Sequence, residues 1–178
     1  MKTEMLAKKD KKYIWHPFTQ MQGWCEEEPL VITKGKGVYL YDDKGRKYID
    51  GVSSLWVTIH GHQHPKLNKA LKQQIDRIAH STMLGLTNDV AIKLAEEIIK
   101  IAPKGLTKVF YSDNGSTAME IAIKMAYQYL QLNADCRLSN DECKKKTHFI
   151  SMNNAYHGDT IGSVSIGGVD LFHKKFKP

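Results

Sequence analysis

Arginine is scarce in this chain. Three are present among 178 residues, Arg46, Arg77 and Arg137, although the net charge is +7. Lysine carries the excess, in short groups at Lys8–Lys12, Lys144–Lys146 and Lys174–Lys177 and otherwise scattered. Arginine is the usual bidentate reader of bases, and a nucleic-acid binder concentrates its charge on one face. Dispersed lysine reads as a solvated surface, so no nucleic-acid partner is expected. Cysteine is equally sparse: Cys25, Cys136 and Cys143 form no CxxC and no other ligand spacing. An odd count without a secretion signal implies reduced thiols rather than a disulfide framework. No apolar run approaches the roughly 18–20 residues of a membrane span. The basic start, MKTEMLAKKDKKYIW, leads into no signal-peptide core. A cytoplasmic protein is expected, with no membrane partner.

What is present alternates. Residues 30–50, LVITKGKGVYLYDDKGRKYID, exchange apolar and polar positions around Lys-Gly and Asp-Asp-Lys-Gly turns, the pattern of a short antiparallel meander. Residues 65–79 open with a proline suited to a first helical turn, and Leu67, Ala70, Leu71, Ile75 and Ile78 then recur at helical spacing. A second helix fits 89–101, ended by Pro103 and Gly105. A strand at about 107–111 precedes a helix at about 116–131. The charged stretch DCRLSNDECKKK reads as an exposed loop. THFISM, 147–152, reads as another strand, followed by NNAYHGD and a helix ending near Gly167 and Gly168. Helix and strand in alternation imply an α/β fold with a parallel sheet, the meander belonging to a separate small lobe. A sheet of two or three strands leaves an edge unpaired. The expectation is therefore the N-terminal part of a larger protein.

Chemistry concentrates at two seams. Asp113-Asn114-Gly115-Ser116-Thr117 lies where a buried strand meets a helix. A helix N-terminus offers unpaired N–H groups and partial positive charge, so a Gly-Ser pair there suits an anion. The bland alternative is an ordinary helix start, with Thr117 and Glu120 as a capping box. No GxxxxGK[ST] is present, which argues against a nucleoside triphosphate. The second seam is Asn154-Ala155-Tyr156-His157-Gly158-Asp159, again beyond a strand's C-terminal end, where open α/β sheets bind ligands. Tyr156 there either stacks on a planar ligand or simply packs in a loop. His60-Gly61-His62-Gln63-His64 lacks the carboxylate or thiolate partner of a metal site and reads as a structural turn, with no metal expected. The aromatic blocks around Trp15–Phe18 and Ser53–Trp56 are either core or the wall of an apolar slot.

Taken in order, WHPFTQM, DGVSSLWVTIHGHQHP, AHSTMLG, VFYSDNGSTAMEIAIKMAYQY and NAYHGDTIGSVSIGG resemble the 7,8-diaminopelargonic acid aminotransferases of biotin synthesis, within the class III, fold-type I aminotransferases. The resemblance runs from about residue 13 to the end. It implies a fold-type I pyridoxal 5'-phosphate-dependent transferase, with residues 1–80 as an N-terminal segment and part of the small domain. Residues 81–178 would be the first part of the cofactor-binding large domain. It also implies that Gly115 and Ser116 hold the cofactor phosphate, that Tyr156 stacks on its ring and borders the substrate, and that Trp56 and Phe18 contact substrate. The Schiff-base lysine of the family is expected beyond Pro178, so no catalytic residue is assigned here, and this length alone is expected to be inactive. The implied reaction converts 8-amino-7-oxononanoate to 7,8-diaminononanoate in a homodimer. Many members using S-adenosylmethionine carry HPYT where this sequence has HPFT, so Phe18 suggests lysine as the alternative amino donor. Two other readings stand beside it: another class III omega-aminotransferase, disfavoured by Trp56 and WHPF, and a non-catalytic scaffold.

Overall fold

The computed structural model describes residues 2–132 and 147–176. They divide into two units between Thr87 and Asn88. In the first, α1 (Lys2–Tyr13) and α2 (Met21–Glu26) precede a meander of β1 (Ile32–Lys36), β2 (Tyr39–Asp42) and β3 (Lys47–Ile49). Both pairings are antiparallel in the order β1-β2-β3, with Lys36 opposite Tyr39 and Tyr39 opposite Ile49. The meander is therefore where the alternation of residues 30–50 places it.

Its second turn is built around one carboxylate. Asp42 Oδ1 accepts the N–H groups of Lys44 at 3.0 Å and Arg46 at 2.7 Å. Its Oδ2 accepts Arg46 Nε at 2.6 Å and the Tyr48 hydroxyl at 3.1 Å. Burial pushes the Asp42 carboxyl up, yet the Arg46 side-chain and backbone donors and the Tyr48 hydroxyl outweigh it and hold it below the usual range. Gly45 supplies the φ of +80° that closes the turn.

After this come the single turn α3 (Ser53–Trp56) and α4 (Pro65–Arg77), which begins on its proline as expected. The second unit holds α5 (Asp89–Ile101), α6 (Gly115–Leu132), α7 (Ile161–Ser165), α8 (Asp170–His173) and a 3-10 turn at Lys174–Phe176. The side chain of Asn88 caps α5 by accepting Ala91 N–H at 2.9 Å. Cys25 is free and exposed. Cys136, Cys143 and the loop expected at DCRLSNDECKKK lie outside the described residues.

The expected strands at 107–111 and 147–152 are not strands here. A strand exists only through its ladder, and among the described residues the one sheet is the meander. Residues 107–111 are instead tied to α5, where the Tyr111 hydroxyl donates to the Ala91 carbonyl.

Burial is correspondingly thin. Among the described residues Val164 is the buried hydrophobic one, while Ile150, Leu84, Ile101 and Leu171 are all at least 85% exposed. Apolar area on this scale is far beyond the scattered exposure of a self-sufficient domain. Expressed at this length, the chain should bind a hydrophobic dye strongly and unfold over a broad thermal range. A dye-silent monomer with one sharp calorimetric transition would contradict this.

Candidate functional site

The N-terminus of α6 is capped by reciprocal hydrogen bonds. Asn114 Oδ1 accepts the Thr117 N–H at 3.0 Å, and Thr117 Oγ1 accepts the Asn114 N–H at 3.1 Å. The capping pair is thus Asn114 with Thr117, and the Thr117–Glu120 box of the bland alternative does not form. Glu120 is used elsewhere. The cap leaves the N–H groups of Gly115 and Ser116 without an acceptor among the described residues. A Cβ added at Gly115 would meet nothing within 4 Å. Two unspent donors thus begin an 18-residue helix, with open space where a Gly115 side chain would stand.

The NAYHGD loop folds onto this helix end. Gly158 adopts φ +113°, and a Cβ there would stand 1.9 Å from Ser116 Oγ. The close approach lets the Asp159 N–H donate to Ser116 Oγ at 3.2 Å. One turn on, Ser163, fully buried, donates from Oγ to the Ser116 carbonyl at 3.0 Å. The Gly162 N–H donates to Glu120 Oε1 at 2.7 Å. The return of the loop is closed by Asn154 N–H to the Gly168 carbonyl at 3.1 Å and Gly168 N–H to the Ala155 carbonyl at 2.9 Å. Gly115, Ser116 and Tyr156 are thereby brought to one place. Tyr156 stays 60% exposed, and its hydroxyl donates to Asp159 Oδ2. That bond, reinforced by burial, raises the Tyr156 pKa.

Sequence reasoning gave Glu120 only a capping role and Asp159 only a place in the second seam, and it passed over Ser163. Glu120 follows Ser116 by four residues and therefore shares its helix face, a spacing that marks it as able to act beside the helix start. The Thr160 hydroxyl, then the Gly162 and Ser163 N–H groups, hold the Glu120 carboxyl below its usual value. A depressed carboxylate pKa stabilises the fold above the unfolded value and loses that contribution as pH falls through the folded one. The clamp between α6 and α7 should therefore be intact at neutral pH and loosen below about pH 4.3, the ordinary glutamate value. Exchange protection of the Gly162 amide is the measure. Protection that is flat from pH 6 to pH 3 in the wild type would contradict this assignment, as would protection unchanged by Glu120→Gln at neutral pH.

Phe18 and Trp56 belong to the first unit, where each is presented on left-handed backbone, φ +50° and +69°, and stands 84% and 78% exposed. They are displayed rather than packed. In the same unit the Asp10 carboxylate accepts Trp24 Nε1–H at 2.9 Å and lies 3.0 Å from His16 Nε2, with the His16 and Trp24 rings 4.3 Å apart. His60-Gly61-His62-Gln63-His64 is a turn, as expected: His62 bridges to Gly37, and Gly61 and Gln63 carry positive φ. Among the described residues no group of histidine, cysteine and carboxylate ligands is placed to hold a metal. No described helix is long and apolar enough to cross a membrane.

The open start of α6 and the NAYHGD loop carrying the exposed Tyr156 lie within a longer match: residues 21–178 match the model of the family described as Aminotransferase class-III. The chain belongs to that family, whose fold is that of the fold-type I transferases. Within it, the chain is 54% identical over 98% of its length to the adenosylmethionine-8-amino-7-oxononanoate aminotransferase of Staphylococcus aureus, and 51% identical over 99% to that of Geobacter sulfurreducens. The crystal structure of the enzyme of that name from Methanocaldococcus jannaschii superposes with TM-score 0.88 at 50% identity over 97% of this chain. An (S)-enantioselective omega-transaminase from Thermomicrobium roseum reaches 0.82 at 31% identity over 98%. The chain spans 38%, 37% and 38% of the S. aureus, G. sulfurreducens and M. jannaschii proteins.

Proposed function

We propose that the full-length protein is a pyridoxal 5'-phosphate-dependent aminotransferase of biotin synthesis, converting 8-amino-7-oxononanoate to 7,8-diaminononanoate. The observation that carries this is Asp159, which joins the Tyr156 hydroxyl to Ser116 at the open start of α6. The donor set suits the cofactor. Two free N–H groups and one hydroxyl at the start of α6 would suit a phosphate, and the exposed phenol of Tyr156 is joined to them through Asp159. Ser116 Oγ already accepts from Asp159 N–H, so its own proton is left to donate outward. Gly115 and Ser116 would bind the phosphate, Tyr156 would cover the ring and shield it from water, and Asp159 would fix the tilt of the phenol. When bound, the cofactor supplies an electron sink for proton transfer at the carbon bearing the amine. Phe18 and Trp56 would contact the alkyl chain of the substrate.

Residues 1–80 are read as the N-terminal segment with part of the small domain, and 81–178 as the start of the large domain, in a cytoplasmic homodimer. The S. aureus, G. sulfurreducens and M. jannaschii relatives all bear adenosylmethionine in their names, which favours S-adenosylmethionine as donor over the lysine suggested by Phe18. Purified full-length protein should be yellow with bound cofactor, with the colour fixed covalently by borohydride. It should aminate 8-amino-7-oxononanoate from S-adenosylmethionine. A colourless protein that neither takes up pyridoxal phosphate nor transfers an amine would overturn the assignment. Turnover with lysine alone would overturn the donor.

A further inference from the structure

Ser53, Ser54, Leu55 and Trp56 form a left-handed turn, with φ of +51°, +49°, +60° and +69° in succession. None is glycine, and left-handed backbone is costly to every other residue through the contact of Cβ with the carbonyl oxygen. Four in a row persist only where the surroundings over-determine them, and such strain collects where a side chain must be aimed.

The restraint comes from Asp50. Its Oδ1 accepts the Ser54 N–H at 2.8 Å and its Oδ2 accepts the Ser54 hydroxyl at 2.8 Å. The same Oδ2 lies 2.8 Å from His62 Nε2, and the Asp50 side chain is 6% exposed. Asp50 is itself fixed to the sheet, its N–H donating to the Val38 carbonyl at 2.9 Å. His62 is fixed as firmly: its N–H donates to the Gly37 carbonyl at 2.8 Å and its carbonyl accepts Gly37 N–H at 3.0 Å. The imidazole lies over Gly35, where a Cβ would come within 2.6 Å of His62 Cγ. A buried carboxylate thus connects a rigid meander to a strained turn. The turn ends in a tryptophan that is itself 78% exposed.

We infer that Asp50 is a positioning residue, which through Ser54 sets the placement of Trp56 and so the affinity for the alkyl chain of the amino acceptor. The second half of this rests on the proposed function, in which Trp56 contacts that chain. Asp50 touches no reacting atom. Its loss should act on KM for the acceptor far more than on cofactor retention, because a small misplacement of a substrate-positioning group is costly.

The test uses full-length protein labelled with 5-fluorotryptophan, the Trp56 resonance being identified by its loss in Trp56→Phe. Asp50→Asn should shift or broaden that resonance while those of Trp15 and Trp24 stay in place. It should also raise acceptor KM about tenfold with cofactor content unchanged. Ser54→Ala, which removes one of the two bonds and keeps the fold, should do the same to a smaller degree. In a Trp56→Ala background, Asp50→Asn should change KM less than twofold, since the side chain it places is gone. An unmoved Trp56 resonance in both variants overturns the inference, as does a KM effect of Asp50→Asn that persists in full without Trp56. A shifted resonance in a protein with no aminotransferase activity supports the positioning role and overturns the proposed function instead.

Discussion

Gly158→Ala in the full-length protein should abolish stable cofactor retention and lower the thermal midpoint. Two independent costs meet at this position. The φ of +113° is a conformation that side-chain-bearing residues rarely adopt, costing about 1–3 kcal/mol where it is imposed. The added Cβ would also stand 1.9 Å from Ser116 Oγ, 2.6 Å from Ser116 Cβ and 2.8 Å from Ser116 Cα. The Oγ could rotate away, but the Cα belongs to the helix and cannot. The loop must lift from α6, and the Asp159 N–H then loses Ser116 Oγ. Because Asp159 also holds the Tyr156 hydroxyl, the proposed phosphate cup and ring cover should fail together. Gly23→Ala is the matching control, since its Cβ would meet nothing within 4 Å inside α2 and alanine is about 1 kcal/mol better than glycine in a helix. Equilibrium titration with pyridoxal phosphate and a thermal scan compare the two. Equal affinity and equal midpoints would show that the loop does not need this approach.

The contrast between Gly158 and its surroundings shows which parts of the molecule the sequence made legible. Local periodicity gave α4, α5 and α6 nearly to the residue, because their apolar stripes, Pro65, Pro103 and Gly105 are signals carried by neighbours in the chain. The meander was equally local. The strands at 107–111 and 147–152 were inferred from apolar runs alone, and a run becomes a strand only when a partner pairs with it. Glu120 was misread for a related reason. Within the helix it has the spacing of a capping box, but Gly162, distant in sequence, supplies the donor it accepts. The left-handed turn at Ser53–Trp56 left no trace in composition, since none of its residues prefers that backbone and Asp50, which bonds Ser54, is itself held by Val38 and His62 at a distance in sequence. Gly115, Ser116 and Tyr156 could be picked out as ligand-binding candidates, but the bonds through Asp159 and Ser163 that join them could not.

Gly115→Val and Ser116→Ala should separate the binding of a phosphate from the building of the cup. Nothing in the chain lies within 4 Å of a Cβ at Gly115, so valine there obstructs only what occupies the space above the helix start. Full-length Gly115→Val should keep or slightly raise the thermal midpoint of the cofactor-free protein, since valine is the better helix former of the two. It should weaken pyridoxal phosphate binding about a hundredfold, roughly 2.7 kcal/mol. Ser116→Ala acts the other way round. It removes one hydroxyl donor to a charged acceptor, worth about 1–3 kcal/mol, and strips the Asp159 N–H of its partner in the chain itself. Its cofactor-free midpoint should therefore fall measurably, while its loss of affinity should be smaller than that of Gly115→Val. Inorganic phosphate provides the sharper reading, because it reports the cup without the ring. Phosphate should protect the wild-type protein against thermal unfolding and give no protection to Gly115→Val. If Gly115→Val binds both phosphate and cofactor as the wild type does, the open end of α6 is not where the anion sits, and the free N–H groups of Gly115 and Ser116 are only the unpaired donors of an ordinary first helical turn.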